Sequence, residues 1–102
     1  MISVTYKKNK DVIEKINVKG HANYAEYDKD IVCAAVSTLV ITSINNILAF
    51  DEKAIVFNEE NNLFIENVKK DNITNTILNT LLEELLELES KYKTNIKIKE
   101  EK

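Results

Sequence analysis

The 102-residue chain contains no proline, no tryptophan and no arginine, and one residue each of glycine, cysteine and histidine. Each shortage closes a class of function. A single cysteine cannot make an internal disulfide, and one cysteine with one histidine cannot furnish a four-ligand structural zinc site. One glycine cannot build a phosphate-cradling or dinucleotide-binding loop. No cofactor and no metal are therefore expected. All positive side chains are lysines, and the formal net charge is −3. Nucleic-acid recognition leans on arginine for bidentate base contacts and on a basic face for phosphates. Neither is visible here, so no direct nucleic-acid binding is expected.

What remains is an ordinary globular balance, 44% hydrophobic and 30% charged, which argues against disorder. The length fits a single domain over residues 1–102, with no room for a second independently folded core. The N-terminal MISVTYKKNK has no apolar signal region, so a cytoplasmic location is expected. Residues Ile31 to Phe50 carry no charge and are long enough to span a bilayer. On a helical wheel, however, Thr38, Thr42, Asn45 and Asn46 share one arc, with Val32, Val36, Leu39, Val40 and Ile47 on the far side. That pattern predicts an amphipathic, mostly buried helix of a soluble protein, and no membrane.

Alternation over residues 2–7 (Ile2, Val4, Tyr6) and 12–19 (Val12, Ile16, Val18), around a polar turn, predicts a β-hairpin. A long helix follows from about Asp30 to Ala49. Residues 53–58 and 62–67 predict a second hairpin. A second helix begins near Asp71, a fitting N-cap, and carries Ile73, Ile77, Leu81, Leu85, Leu88 and Tyr92 at helical spacing. A last strand covers 94–99. The order ββαββαβ implies an α+β fold, with one mostly antiparallel or mixed sheet packed against two helices.

The chemistry-bearing singletons lie close together. Gly20 and His21 stand where the second strand runs out, and a glycine there allows a backbone angle that other residues resist. Ala22, Asn23, Tyr24, Ala25, Glu26, Tyr27, Asp28 and Lys29 form a polar, aromatic-bearing loop leading to Asp30. If Asp30 caps the long helix, Cys33 falls in its first turn, where the positive helix end favours a thiolate. Asp30, Cys33 and Ser37 project within about 60° of one another, and Ile41, Ile44 and Leu48 continue the same stripe. A nucleophile, a base and a positive helix end are the requirements for acyl transfer to cysteine. The bland alternatives are a small buried cysteine, a satisfied polar histidine, a simple cap at Asp30 and a close-packing serine at Ser37.

The sequence GHA-x-Y-A, four residues, then DIVCAAVS closely resembles the signature of the ribosomal-processing cysteine proteases, the Prp family. Here it is carried by Gly20, His21, Ala22, Tyr24, Ala25 and Asp30 through Ser37. The resemblance implies a cysteine endopeptidase whose catalytic dyad is Cys33 and His21, with Gly20, Asp30 and Ser37 in support and residues 22–29 as a substrate loop. It further implies removal of the short N-terminal extension of a bacterial large-subunit ribosomal protein, the twenty-seventh in the standard numbering. Cleavage would follow an apolar motif ending in Phe, by a homodimeric enzyme. One departure is Asp28, where the family usually has a loop glycine; aspartate tolerates positive φ better than most residues. The competing reading is a non-catalytic ribosome-assembly or binding module of the same fold. Thiol redox chemistry ranks last, for want of an arginine beside the thiol and of a resolving cysteine.

Overall fold

The N-terminal hairpin sets the geometry of everything else. In the computed structural model, which describes residues 1–20, 30–60 and 62–102, strands β1 (Ile2–Asn9) and β2 (Val12–Lys19) pair antiparallel. Val4 lies opposite Val18 and Tyr6 opposite Ile16, so one face of the ribbon is apolar. The register then slips: Lys7 faces Lys15, but Lys8 faces Ile13, leaving Glu14 as an extra residue on β2. This β-bulge reverses the alternation. Ile13, at 0% exposure, takes the core position that simple alternation assigns to Val12, which is only half-buried.

A bulge removes backbone groups from the ladder, and buried ones need other partners. Two asparagines supply them. The Ile13 N–H donates to Asn75 Oδ1 at 3.0 Å, and the Ile13 carbonyl accepts from Asn67 Nδ2 at 3.0 Å. Asn67 is itself 2% exposed, and its Oδ1 accepts from the Lys70 N–H at 2.8 Å, so both ends of the buried amide are satisfied.

Strands β3 (Ile55–Asn58), β4 (Leu63–Asn67) and β5 (Ile96–Glu101) complete a sheet of order β3-β4-β2-β1-β5. β1 and β5 are parallel and the other neighbours antiparallel, which makes the sheet mixed, as expected. Strands β3, β4 and β5 start later than expected, at Ile55, Leu63 and Ile96, and β5 runs on to Glu101. Residues before β3 are held in a turn by Asp51, whose Oδ1 accepts from the Lys53 N–H. Those before β5 are held by the Asn95 N–H bond to the Tyr92 carbonyl.

Helices α1 (Asp30–Phe50) and α2 (Asn72–Lys91) share one core cluster with the sheet. Leu39 and Leu88 line a common hollow with Glu84, Glu87 and Lys91, so the first half of α1 lies beside the second half of α2. α1 buries Val32, Val36, Val40, Ile44 and Ile47 and exposes Thr38, Thr42, Asn45 and Asn46, the expected arcs. It is not mostly buried, however: 28% of its uncharged stretch is. By length and composition α1 would also cross a membrane, but its buried valine and isoleucine stripe packs within the sheet-and-helix core.

α2 starts where expected. Asp71 is its N-cap, and its side chain accepts from the Thr74 N–H at 3.1 Å. Its buried stripe is Thr74, Leu78, Leu81, Leu82 and Leu85, while Ile73 and Tyr92 are 43% and 40% exposed. The reason lies in the spacing. At 100° per residue the stripe from Ile73 to Tyr92 drifts by about 100°, too far for both ends to face one sheet.

Candidate active site

The site is built where β2 ends and α1 begins. Gly20 closes β2 with φ +85, a left-handed angle that L side chains rarely adopt. A Cβ added there would stand 2.7 Å from the Met1 carbonyl oxygen. The conformational reading of Gly20 therefore holds for two independent reasons. Nearby, the Ile2 N–H donates to the Asn95 carbonyl at 2.9 Å, which ties the start of β1 to the turn after α2. The same end of the sheet thus gathers Gly20, the first residues of β1 and the C-terminal end of α2.

His21 and the loop Ala22 to Lys29 lie outside the described residues, so the pairing of His21 with Cys33 is not part of the geometry set out here. α1 begins at Asp30 itself, one residue earlier than a cap at Asp30 would require. Cys33 is therefore the fourth residue of the helix. The backbone N–H groups of Asp30, Ile31 and Val32 precede it in the first turn, where the helix offers them no acceptor. Those groups carry the positive end of the helix dipole.

Cys33 is half-buried and packs against the core cluster. Ser37, also half-buried, follows one turn later, about 6 Å along the axis and about 40° around it. The stripe continues through Ile41 and Leu48, both packed against the core, and fully buried Ile44. Cys33 and Ser37 thus sit at the upper, partly exposed end of an apolar stripe, as the spacing implied. No charged side chain occurs on α1 after Asp30. Among the described residues, no group of three or more His, Cys, Asp or Glu is arranged to hold a metal ion.

A half-buried thiol near a helix N-terminus is one of the settings in which cysteine nucleophiles occur. Comparison with known proteins decides the family. Residues 1–97 match the family model for cysteine protease Prp. The chain belongs to the Prp family of cysteine proteases. The ribosomal processing cysteine protease Prp of Staphylococcus aureus is 31% identical over 90 residues, spanning 84% of this chain and 85% of that protein. The crystal structure of S. aureus Prp with a substrate peptide superposes at a TM-score of 0.90, with 28% identity, covering 99% of this chain and 100% of that one. A second S. aureus structure, carrying a covalently linked product peptide, gives 0.85 at 29% identity, with the same coverage. The ββαββαβ order and the mixed five-stranded sheet are accordingly those of Prp.

Sequence reasoning missed Asn67 and Asn75, the two side chains that satisfy the bulge. The irregular spacing of Ile13 and Ile16 was the available signal, since three residues cannot separate two core positions on a regular strand.

Proposed function

We propose that residues 1–102 form a single protease domain that removes the short N-terminal extension of a bacterial large-subunit ribosomal protein, the twenty-seventh. Cys33 is the nucleophile and His21 its general base and acid. His21 takes the thiol proton, and the Cys33 sulfur attacks the scissile carbonyl carbon. First-turn N–H groups of α1 receive the developing oxyanion. The C–N bond then breaks, with the proton passing from His21 to the departing amine, and a thioester remains. Water, deprotonated by the same histidine, releases the acyl product and restores the thiol.

Gly20 fixes the direction in which the chain leaves β2 toward His21. Asp30 and Ser37 support the dyad, and residues 22–29 form the substrate loop. Cleavage follows an apolar motif ending in Phe, and the working species is a cytoplasmic homodimer. The observation that carries this reading is the placement of Cys33, half-buried in the first turns of α1 in a chain of the Prp family. The test is direct: the protein is mixed with a peptide of the host's own extension and the products are read by mass spectrometry. A single cut after the apolar motif is expected, and an intact peptide refutes the assignment.

A further inference from the structure

The helices cover one face of the sheet only, so strand alternation sends the remaining side chains to a face on which no described element packs. That face is basic. It carries Lys7, Lys15, Lys19, Lys97 and Lys99 against Glu14, Glu66 and Glu101, a balance of +2 within a chain whose net charge is −3. The compensating charge lies on the opposite side of the molecule, where α2 exposes Glu83, Glu84 and Glu87. Net charge averages the two faces and hides both.

The cations of this face are not all offset within the sheet. Lys7 stands opposite Lys15, but Glu101 and Glu66 bracket that pair in the register and offset it, whereas no carboxylate faces Lys19, Lys97 or Lys99 across the strands. Lys15 has Glu101 at 3.6 Å, but Lys19, Lys97 and Lys99 form no ion pair with any described residue. Lys97 and Lys19 flank Ser3, and Lys99 lies beside Thr5 in the register. Hydroxyl donors are thus interleaved with the cations on a flat surface. Protein-binding surfaces concentrate aromatic and apolar residues at their centre and are depleted in lysine. Here the corner formed by β5, the start of β1 and the end of β2 is lysine, serine and threonine, and Phe64 and Val56 lie on the same face toward β3. Phosphate backbones are recognised by such lysine and hydroxyl donors without reading sequence.

We propose that the open face of the sheet is an RNA-docking surface, with Lys19, Lys97 and Lys99 as its phosphate contacts. Lys19 is the residue before Gly20, so this corner lies at the end of the sheet from which the chain enters the catalytic loop. If the protease reading holds, RNA docked there presents a ribosomal precursor to the site; the RNA binding itself does not depend on that reading.

The test is fluorescence anisotropy with a labelled single-stranded RNA of twenty nucleotides, using the full chain. Three phosphate contacts give a log–log salt slope of about −2, or a loss of roughly twentyfold in affinity between 50 and 200 mM salt. The Lys97→Glu/Lys99→Glu variant is expected to bind at least tenfold more weakly, with unchanged melting temperature and unchanged cleavage of a short peptide. Three results overturn the proposal: no saturable binding below about 100 µM RNA at 50 mM salt, equal binding by the double variant, or displacement of RNA by a poly-glutamate peptide at equal charge, which would assign the face to an acidic protein. Because anisotropy does not read proteolysis, a failure here is distinct from a failure of the protease assignment.

Discussion

Replacing Gly20 with alanine perturbs the residue that ends β2 at a single atom. The native φ of +85 is strained for any L residue, and the new Cβ would meet the Met1 carbonyl oxygen at 2.7 Å. A left-handed conformation costs about 1–2 kcal/mol for a residue with a Cβ. Crowding a group into occupied space adds about 1–3 kcal/mol, and here the neighbour is backbone, which cannot rotate away. The combined loss of about 2–5 kcal/mol is a large share of the 5–15 kcal/mol that holds a typical domain together. At about 4–8 °C per kcal/mol, Gly20→Ala should melt at least about 8 °C below the parent protein. Thermal denaturation followed by circular dichroism measures this. A melting temperature within about 3 °C of the parent would refute the strain argument and remove Gly20's claim to set the direction of the loop.

Three further outcomes follow from the packing and the charges. Asn67→Ala strips the buried Ile13 carbonyl of its donor, at a cost of about 1–3 kcal/mol, measurable by urea denaturation; Asn67→Asp should fare no better, having lost the amide donor. Leu85→Ala, at a position with 0% exposure, should cost about 2–5 kcal/mol and lower the urea midpoint accordingly. The carboxyls of Asp51 and Asp71 both sit below their usual value, Asp51 through its hydrogen bond with Lys69 and Asp71 through its cap bond to Thr74. Depressed carboxyls stabilise the fold at pH above the ordinary value of 3.8 and cease to do so as the pH falls through the folded value. Melting temperature should therefore drop on acidification below about pH 4, and the drop should shrink in an Asp51→Asn/Asp71→Asn variant.

The order of elements was legible because hydrophobic period switches cleanly from two to about 3.6 along this chain, and because Asp71 announces α2. Register was not. Alternation read from Val12 gives the wrong residue to the core, since the extra Glu14 resets the phase and only the partner strand reveals it. The α2 stripe failed for a related reason. Leu81 and Leu85 belong both to the spacing read along the chain and to the face that packs, and only the sheet chooses between them. The basic sheet face was equally invisible, because its lysines come from the N-terminal hairpin and from β5 at the other end of the sequence. At the candidate site, the position of Cys33 on its helix and the need for glycine at residue 20 were both readable locally. The helical position and the backbone angle depend on neighbours in the chain, whereas the close approach of the Met1 carbonyl to Gly20 is a tertiary contact.

The central claim is that Cys33 attacks the peptide and His21 moves its proton. The most direct measurement is intact-protein mass spectrometry of the enzyme quenched during turnover of the extension peptide, run on the parent, Cys33→Ala and His21→Ala proteins. The account predicts an acyl adduct on Cys33 in the parent, and neither adduct nor cleaved peptide with Cys33→Ala. With His21→Ala it predicts cleavage slowed by at least about a hundredfold. Cleavage by Cys33→Ala at the parent rate would contradict it.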